Sequence, residues 1–493
     1  MSRHKSQAEI SSRTTQKLRP RLSAILVCIL ILAYGVYFSI FTLTRHQALM
    51  TQSYDLGIYA QALWNTLQGD FLRVTIRPGN VTYLQHHFAP SMLLFVPLYA
   101  MYSDPVWLLI LQSFIVSSGA WPIYRLAVGV SGREVVGVVF ALVYLLFPAL
   151  QAANLYDFHE ITIAAPLLIW TWYFARSHRW LWFAVTGVIA VGFREEAIIF
   201  MLGMGFILVM HKSTRKYGLI ALALSVVWLV ILIMISFSEL GFNTNASVYL
   251  SSGFGLGDTP SETLTIILKD PAILLRRMTR PEKVSYLVNL FAPVGYLSFF
   301  SWQTLILVAP SVVLNLFGEY PLLYSPAQAQ YNALLAPFIV YTAVLGFVWL
   351  VDFLGRRTNF KPTFWVNILL VFVLMLSIGY HLRLAHLPYS PYFQWPQVTE
   401  RHQLARKIAA GIPVDRSLSI QDNLAPHASH RHDLYVFPRL DGADYVYLDL
   451  EWIENLREAG IVDQTPQLEQ LLNDPQYEVL IEEKDLLLLQ RKE

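Results

Sequence analysis

The run LSAILVCILILAYGVYFSIFTL, residues 22–43, is long and apolar enough to cross a bilayer, and the chain turns polar soon after it. A helix rises about 1.5 Å per residue, so roughly twenty apolar residues cover the ~30 Å of hydrocarbon. Ahead of the run, residues 1–21 carry Arg3, Lys5, Arg13, Lys17, Arg19 and Arg21. The run outlasts the apolar core of a signal peptide and lacks a small-x-small cleavage site, which predicts a retained anchor helix. Further apolar runs follow at 105–127, 134–152, 161–175, 180–193, 197–210, 217–240, 283–301, 303–317, 333–351 and 364–384. Together they predict a mainly α, polytopic transmembrane bundle of about eleven spans.

Composition agrees with that class. Hydrophobic residues make up 55% of the 493 and charged residues only 14%, which excludes an ordinary soluble protein. A net charge of +2 provides no basic field for nucleic acid. The one cysteine, Cys28, lies inside the first run, so neither an intramolecular disulfide nor a cysteine-built metal site can form. Walker, dinucleotide, nucleophile-elbow and HExxH patterns are all missing, which argues against a nucleotide-driven pump or a zinc protease.

Orientation follows from Lys and Arg in the short loops. Arg125 and Arg133, Arg176 and Arg179, the 212–216 cluster, and Arg356, Arg357 and Lys361 fall on the same side as the basic tail. This predicts a multi-pass protein of the cytoplasmic membrane with its N-terminus inside. It places 45–104, 153–160, 194–196, 241–282, 318–332 and 385–493 outside. Arg276, Arg277, Arg280 and Lys283 break the pattern. Either the outer loop is long enough to escape the rule, or these residues form an anion site for lipid phosphate, or the topology differs there.

Past Leu384 the long apolar runs stop. Short β-rich pieces at Leu418–Gln421, Tyr435–Phe437, Tyr445–Leu450, Glu478–Ile481 and Leu486–Leu489 are interspersed with amphipathic stretches at Val398–Ala410 and Gln467–Asn473. Residues 385–493 are therefore predicted to be a small extracytoplasmic α/β domain following the membrane domain of 22–384.

Four polar islands share one predicted side. Asp55 stands in Ser-Tyr-Asp-Leu-Gly-Ile-Tyr, and His86 and His87 in Gln-His-His-Phe-Ala-Pro. Asp157, His159 and Glu160 form Tyr-Asp-Phe-His-Glu between two spans. Arg194, Glu195 and Glu196 interrupt the apolar stretch from Trp180 to Met210. Facing lipid, that last triplet would cost several kcal/mol. It is either an internal ion pair joining helices or the tip of a hairpin lining a substrate cavity. Asp55 is likewise either a helix cap or a reactive carboxylate. The Asp-x-His-Glu spacing is only a weak metal signal, so a divalent cation stays open.

These islands, in this order, resemble the bacterial and archaeal membrane family DUF2079. The carriers are YDLGIYAQALWN (54–65), HHFAP (86–90), DFHE (157–160), REE (194–196), LFAPVG (290–295), QYNA (330–333) and ADYVYLD (443–449). That family is similar to the GT-C glycosyltransferases, multispan enzymes that take sugar from a polyprenyl-phosphate carrier. The resemblance implies a GT-C-like fold, membrane lipid and a polyprenyl-phosphate-linked sugar as partners, and Asp55 acting as general base on an acceptor hydroxyl. His86, His87, Asp157, His159, Glu160, Arg194, Glu195, Glu196 and Tyr331 would then bind substrate. Arg276, Arg277 and Arg280 would meet lipid phosphate. The rival classes are a transporter or lipid-linked-glycan flippase, and an assembly protein without catalysis.

Overall fold

The computed structural model describes residues 20–79, 81–236, 259–385, 390 and 393–492. Arg3, Lys5, Arg13, Lys17 and Arg19 of the basic tail lie outside the described residues, as does 241–258 of the expected outer loop. Five described helices have the length and apolarity to cross a membrane: Arg21–Gln47, Val106–Ser131, Arg215–Ile235, Gln330–Arg357 and Pro362–Leu384. Glu134–Leu145 and Pro148–Leu155, bent by 44°, add a sixth if they form one broken span. The bend has a local cause. Pro148 donates no N–H, and Phe147 before it is extended (φ −67°, ψ 119°).

The remaining apolar runs are shorter or interrupted. Trp180–Phe193 and Ala197–Val209 are helices of 14 and 13 residues, back to back around Arg194. Each reaches only about 20 Å. The expected spans 283–301 and 303–317 are not continuous helices. Helix Pro281–Phe291 gives way to short 3₁₀ turns at Ala292–Val294 and Leu297–Phe300, then to Gln303–Leu307 and Ala309–Phe317. Pro293 and Pro310 remove donors there, and Gly295 and Tyr296 are left-handed (φ 61° and 57°).

Glu160–Arg176 forms the buried centre of the bundle, with Trp172 among its 13 buried residues. It is apolar on every side, as a helix surrounded by other helices must be. Ala197–Val209 packs on Arg215–Ser236 through glycines. A Cβ added to Gly218 would stand 2.5 Å from the Val209 nitrogen and 2.7 Å from the Gly205 oxygen. Small residues at such a crossing let two backbones approach closely in a membrane.

The C-terminal domain holds a five-stranded sheet ordered β2-β1-β3-β5-β4. The strands are β1 (Leu418–Ile420), β2 (Leu434–Val436), β3 (Tyr445–Asp449), β4 (Tyr477–Glu483) and β5 (Leu486–Arg491). β1 is parallel to both β2 and β3, whereas β5 is antiparallel to β3 and β4. Lys484 and Asp485 make the β4–β5 turn with φ of 50° and 59°, the sense that matches the strands' twist. Helices Glu400–Gly411, Leu450–Glu458 and Thr465–Leu472 accompany the sheet. The first and third match the sequence expectation. Leu450–Glu458 is additional, started by the Asp449 side chain accepting the Trp452 N–H at 3.0 Å.

This domain docks on the first loop rather than standing apart. Arg73 pairs with Asp433 at 2.7 Å, and Gln61 donates to the Arg431 and His432 carbonyls at 3.2 Å. The Thr75 hydroxyl accepts the Leu434 N–H at 2.8 Å, and Tyr99 meets His430 at 2.8 Å. The His46 and His427 rings stack 4.0 Å apart.

Candidate functional site

Asp55 lies in a single π-helical turn, Ser53–Gly57, which leads into helix Ile58–Leu67. One-turn π segments recur at functional positions because they re-aim side chains within a helix. Here the Asp55 carboxylate faces His159, with Oδ1 3.0 Å from Nε2. His159 sits just before helix Glu160–Arg176, in extended conformation. Its Nδ1 lies 2.8 Å from the Tyr156 carbonyl, which can only accept, so the Nδ1 proton points there. Its backbone N–H donates to Gln112 at 2.9 Å, and Gln112 in turn donates to the Asp157 carbonyl at 2.6 Å.

Asp157 is left-handed (φ 50°), a conformation Asp tolerates better than most residues. Its carboxylate accepts the Gln52 N–H at 2.7 Å and stands 4.0 Å from Arg45. Asp157 thus turns the chain so that His159 reaches Asp55. Burial first, and the negative charge of Asp55 second, push the Asp157 carboxyl upward.

For His159, burial alone would strip the proton, but the hydrogen bond and charge of Asp55, with Glu160 and Asp157 behind it, raise its pKa instead. A folded value above the unfolded one means that this pair's stabilisation is full below the ordinary imidazole value of about 6.5. It is lost as pH rises through the raised folded value. Between about pH 6 and about pH 9, the thermal midpoint of the wild type is expected to fall more steeply than that of His159→Gln. Parallel curves would show that the imidazole holds no extra proton.

A second cluster adjoins the first. Glu160 accepts from Tyr59 on one oxygen and from Arg194 at 2.8 Å on the other. Arg194 also binds Glu196 at 2.6 and 3.0 Å and the Nε2 of His87 at 2.7 Å. A guanidinium only donates, so His87 Nε2 accepts and its proton resides on Nδ1, 3.4 Å from Glu195. Glu195 accepts the Phe88 N–H at 2.7 Å. Glu160 is fully buried and Arg194 is 4% exposed. Arg194 therefore ties three parts of the chain together, and its charge is matched by carboxylates at close range.

The other expected residues are more peripheral. His86 is engaged by Arg77, 2.9 Å from Nδ1. Arg277 and Arg280 bind Glu319 at 3.1 and 2.8 Å, while Arg276 pairs with Asp270. Tyr331 packs edge-on against Tyr320, with ring centres 5.7 Å apart. The turn Gln330–Asn332 packs on helix Pro148–Leu155 and on helix Glu160–Arg176, the two helices that bracket Asp157 and His159. Among the described residues, no three His, Cys, Asp or Glu side chains are grouped so as to hold a metal.

Sequence reasoning missed Asp422, Tyr59 and Gln112. Asp422 comes from the C-terminal domain: it accepts the Ser53 N–H at 3.0 Å and the Ser53 hydroxyl. Tyr59 had a readable signal, standing four residues after Asp55 at helical spacing.

An apolar groove of about 440 Å³ runs among membrane helices, lined by Leu94, Phe95, Trp170, Trp182 and Phe193 among others. A smaller one of about 250 Å³ lies between Glu282–Asn289 and Tyr324–Gln328.

The family described as "Predicted membrane protein (DUF2079)" matches residues 45–488, a span that includes both clusters and the docked domain. The chain belongs to this family. No curated protein matches the DUF2079 chain in sequence. Among solved structures it is similar to ArnT from Cupriavidus metallidurans bound to undecaprenyl phosphate. The identity is 10% and the TM-score 0.50, over 94% of this chain and 97% of that one. The apo form of the same ArnT gives a TM-score of 0.48 at the same identity and coverage. At this identity the likeness speaks for the fold: the DUF2079 chain is mostly helical, ArnT-like in architecture, and carries its small sheet at the C-terminus.

Proposed function

We propose that this DUF2079 protein is a GT-C-type membrane glycosyltransferase that moves a sugar from a polyprenyl-phosphate donor to an extracytoplasmic acceptor. The observation that carries the reading is the Asp55–His159 pair, half-enclosed where the first loop, the start of helix Glu160–Arg176 and the outer domain meet. The ArnT-like fold supports it, as does the undecaprenyl phosphate bound to that protein.

In this mechanism His159 holds Oδ1 of Asp55, and Oδ2 takes the proton of the acceptor hydroxyl. The acceptor oxygen attacks the anomeric carbon from the face opposite the lipid phosphate. The bond from that carbon to the phosphate oxygen breaks, its electron pair leaves with the phosphate, and the configuration inverts. Preorganised cations stabilise such a leaving group. Arg277 and Arg280, beside segment 318–332, are assigned that role, with Tyr331 and His86 lining the approach to the sugar. The Lys and Arg distribution supports an N-terminus in the cytoplasm and an outer domain beyond the cytoplasmic membrane. Outside the cell no nucleotide-sugar pool exists, which favours a lipid-phosphate donor.

The test is a purified, detergent-solubilised preparation given labelled polyprenyl-phosphate sugars and a cell-envelope acceptor fraction. Glycosylated acceptor of inverted configuration is expected. Movement of the labelled lipid across vesicles with no glycosylated product would replace this reading with a flippase.

A further inference from the structure

We propose that Asp422 of the outer domain is a positioning residue for Asp55, so that the reactive turn is complete only while that domain is docked. The inference rests on the function proposed above and adds the outer domain to its site.

The argument starts from the turn itself. Ser53–Gly57 is one turn long, and its preceding residue Gln52 is extended (φ −119°, ψ 160°) and supplies no side-chain cap. The first N–H groups of a helical turn have no partner within it. Here two carboxylates supply them. Asp157, from the membrane domain, accepts the Gln52 N–H at 2.7 Å. Asp422, from the outer domain, accepts the Ser53 N–H at 3.0 Å and the Ser53 hydroxyl as well. Asp55 follows two residues later, so both domains define where its carboxylate stands.

Asp422 is placed rigidly. It follows β1, the strand flanked by parallel neighbours on both sides, at the carboxyl edge of the sheet. Open α/β sheets gather functional side chains at this edge, where strand order reverses. The neighbouring residues are tied down: the Gln421 N–H donates to Tyr447 at 2.9 Å, and Asn423 donates to Asp449 at 2.8 Å. Leu424 and Ala425 are fully buried. A Cβ added to Gly57 would lie 3.5 Å from the Pro426 nitrogen, so this edge abuts the Asp55 turn directly. Burial raises the Asp422 carboxyl, its bonds from Ser53 oppose the rise, and the charge of Asp55 adds to it. The two carboxyls are within each other's field.

Other docking contacts, among them Arg73–Asp433, Thr75–Leu434 and Tyr99–His430, do not touch the turn. The latch can therefore be removed with the domain still in place. The experiment uses the full-length purified protein, with hydrogen–deuterium exchange of the peptide covering 52–57 as one readout. Initial rates with a polyprenyl-phosphate sugar are the other.

In Asp422→Ala, exchange at 52–57 is expected to accelerate by about tenfold or more, the effect of losing the two hydrogen bonds from Ser53. The kcat is expected to fall by about 10–100-fold with donor KM within about twofold, as for a group displaced rather than deleted. Asp422→Asn keeps an acceptor oxygen and is expected to recover most of both. Asp433→Asn should leave exchange at 52–57 unchanged. Should Asp422→Ala not fold, Ser53→Ala carries the test, with a smaller acceleration and a smaller loss. Unchanged exchange at 52–57, or faster exchange at an unaltered kcat, overturns the proposal. If the wild type transfers no sugar while Asp422→Ala still loosens 52–57, the latch stands and the transferase reading falls.

Discussion

Asp55→Asn is expected to lower sugar transfer by about 10²–10⁴-fold, the usual worth of a general base, while leaving fold and lipid binding intact. The substitution keeps the size of the side chain and an oxygen that can face His159 Nε2, now 3.0 Å from Oδ1. It removes the only property that the mechanism uses, the capacity to accept a proton from the acceptor. Single-turnover rates with a pre-bound donor isolate this step from product release. Lipid-phosphate binding, measured on the same preparation, checks that the site is assembled. A variant transferring sugar at the wild-type rate would remove Asp55 from the chemistry. Equal loss of lipid binding and transfer would instead mark it as a structural cap.

Arg194→Ala is expected to destabilise the protein by about 3–5 kcal/mol, the range for breaking a buried ion pair from one side. Glu160 is completely buried and would lose its hydrogen-bonded cation, keeping the bond from Tyr59. The His87 ring would lose its donor as well, and Glu196 its close cation. The readout is the thermal unfolding midpoint in detergent together with the yield of monodisperse protein. Arg194→Lys is expected to recover only part of the loss, because an ammonium cannot reproduce the planar fork that reaches Glu160, Glu196 and His87 together. Arg194→Met combined with Glu160→Gln should be less damaged than Arg194→Ala, since the fully buried Glu160 charge goes with its partner. Equal midpoints for wild type and Arg194→Ala would mean that the network holds nothing together.

The network occupies a stretch that the sequence leaves ambiguous. Arg194-Glu195-Glu196 in an apolar stretch could be an internal ion pair or the lining of a cavity. The structure makes it a clasp: Arg194 joins the start of the Glu160 helix to the His87 segment, and Glu195 receives Phe88. Glu160 directly follows His159, so the clasp closes next to the Asp55–His159 pair. The three arginines are paired as well: Arg276 with Asp270, and Arg277 and Arg280 with Glu319.

Sequence by itself determined the class of the molecule, because apolar runs of membrane length follow from the thickness of hydrocarbon whatever the fold. It also determined the α/β character of the C-terminal domain, where alternating β-rich pieces match β1 to β5 closely. Those are local properties: each is written within about twenty consecutive residues. The breaks in 283–317 were legible only in part, since Pro293 and Pro310 are visible but the left-handed Tyr296 depends on what packs around it. Tertiary structure alone decided which ionisable groups meet. Ser53 and Asp422 are 369 positions apart, and Asp55 and His159 are 104 apart, so no periodicity or spacing could connect them. Side chains that must leave water find their counter-charges wherever the closing of the bundle and the docking of the C-terminal domain bring them.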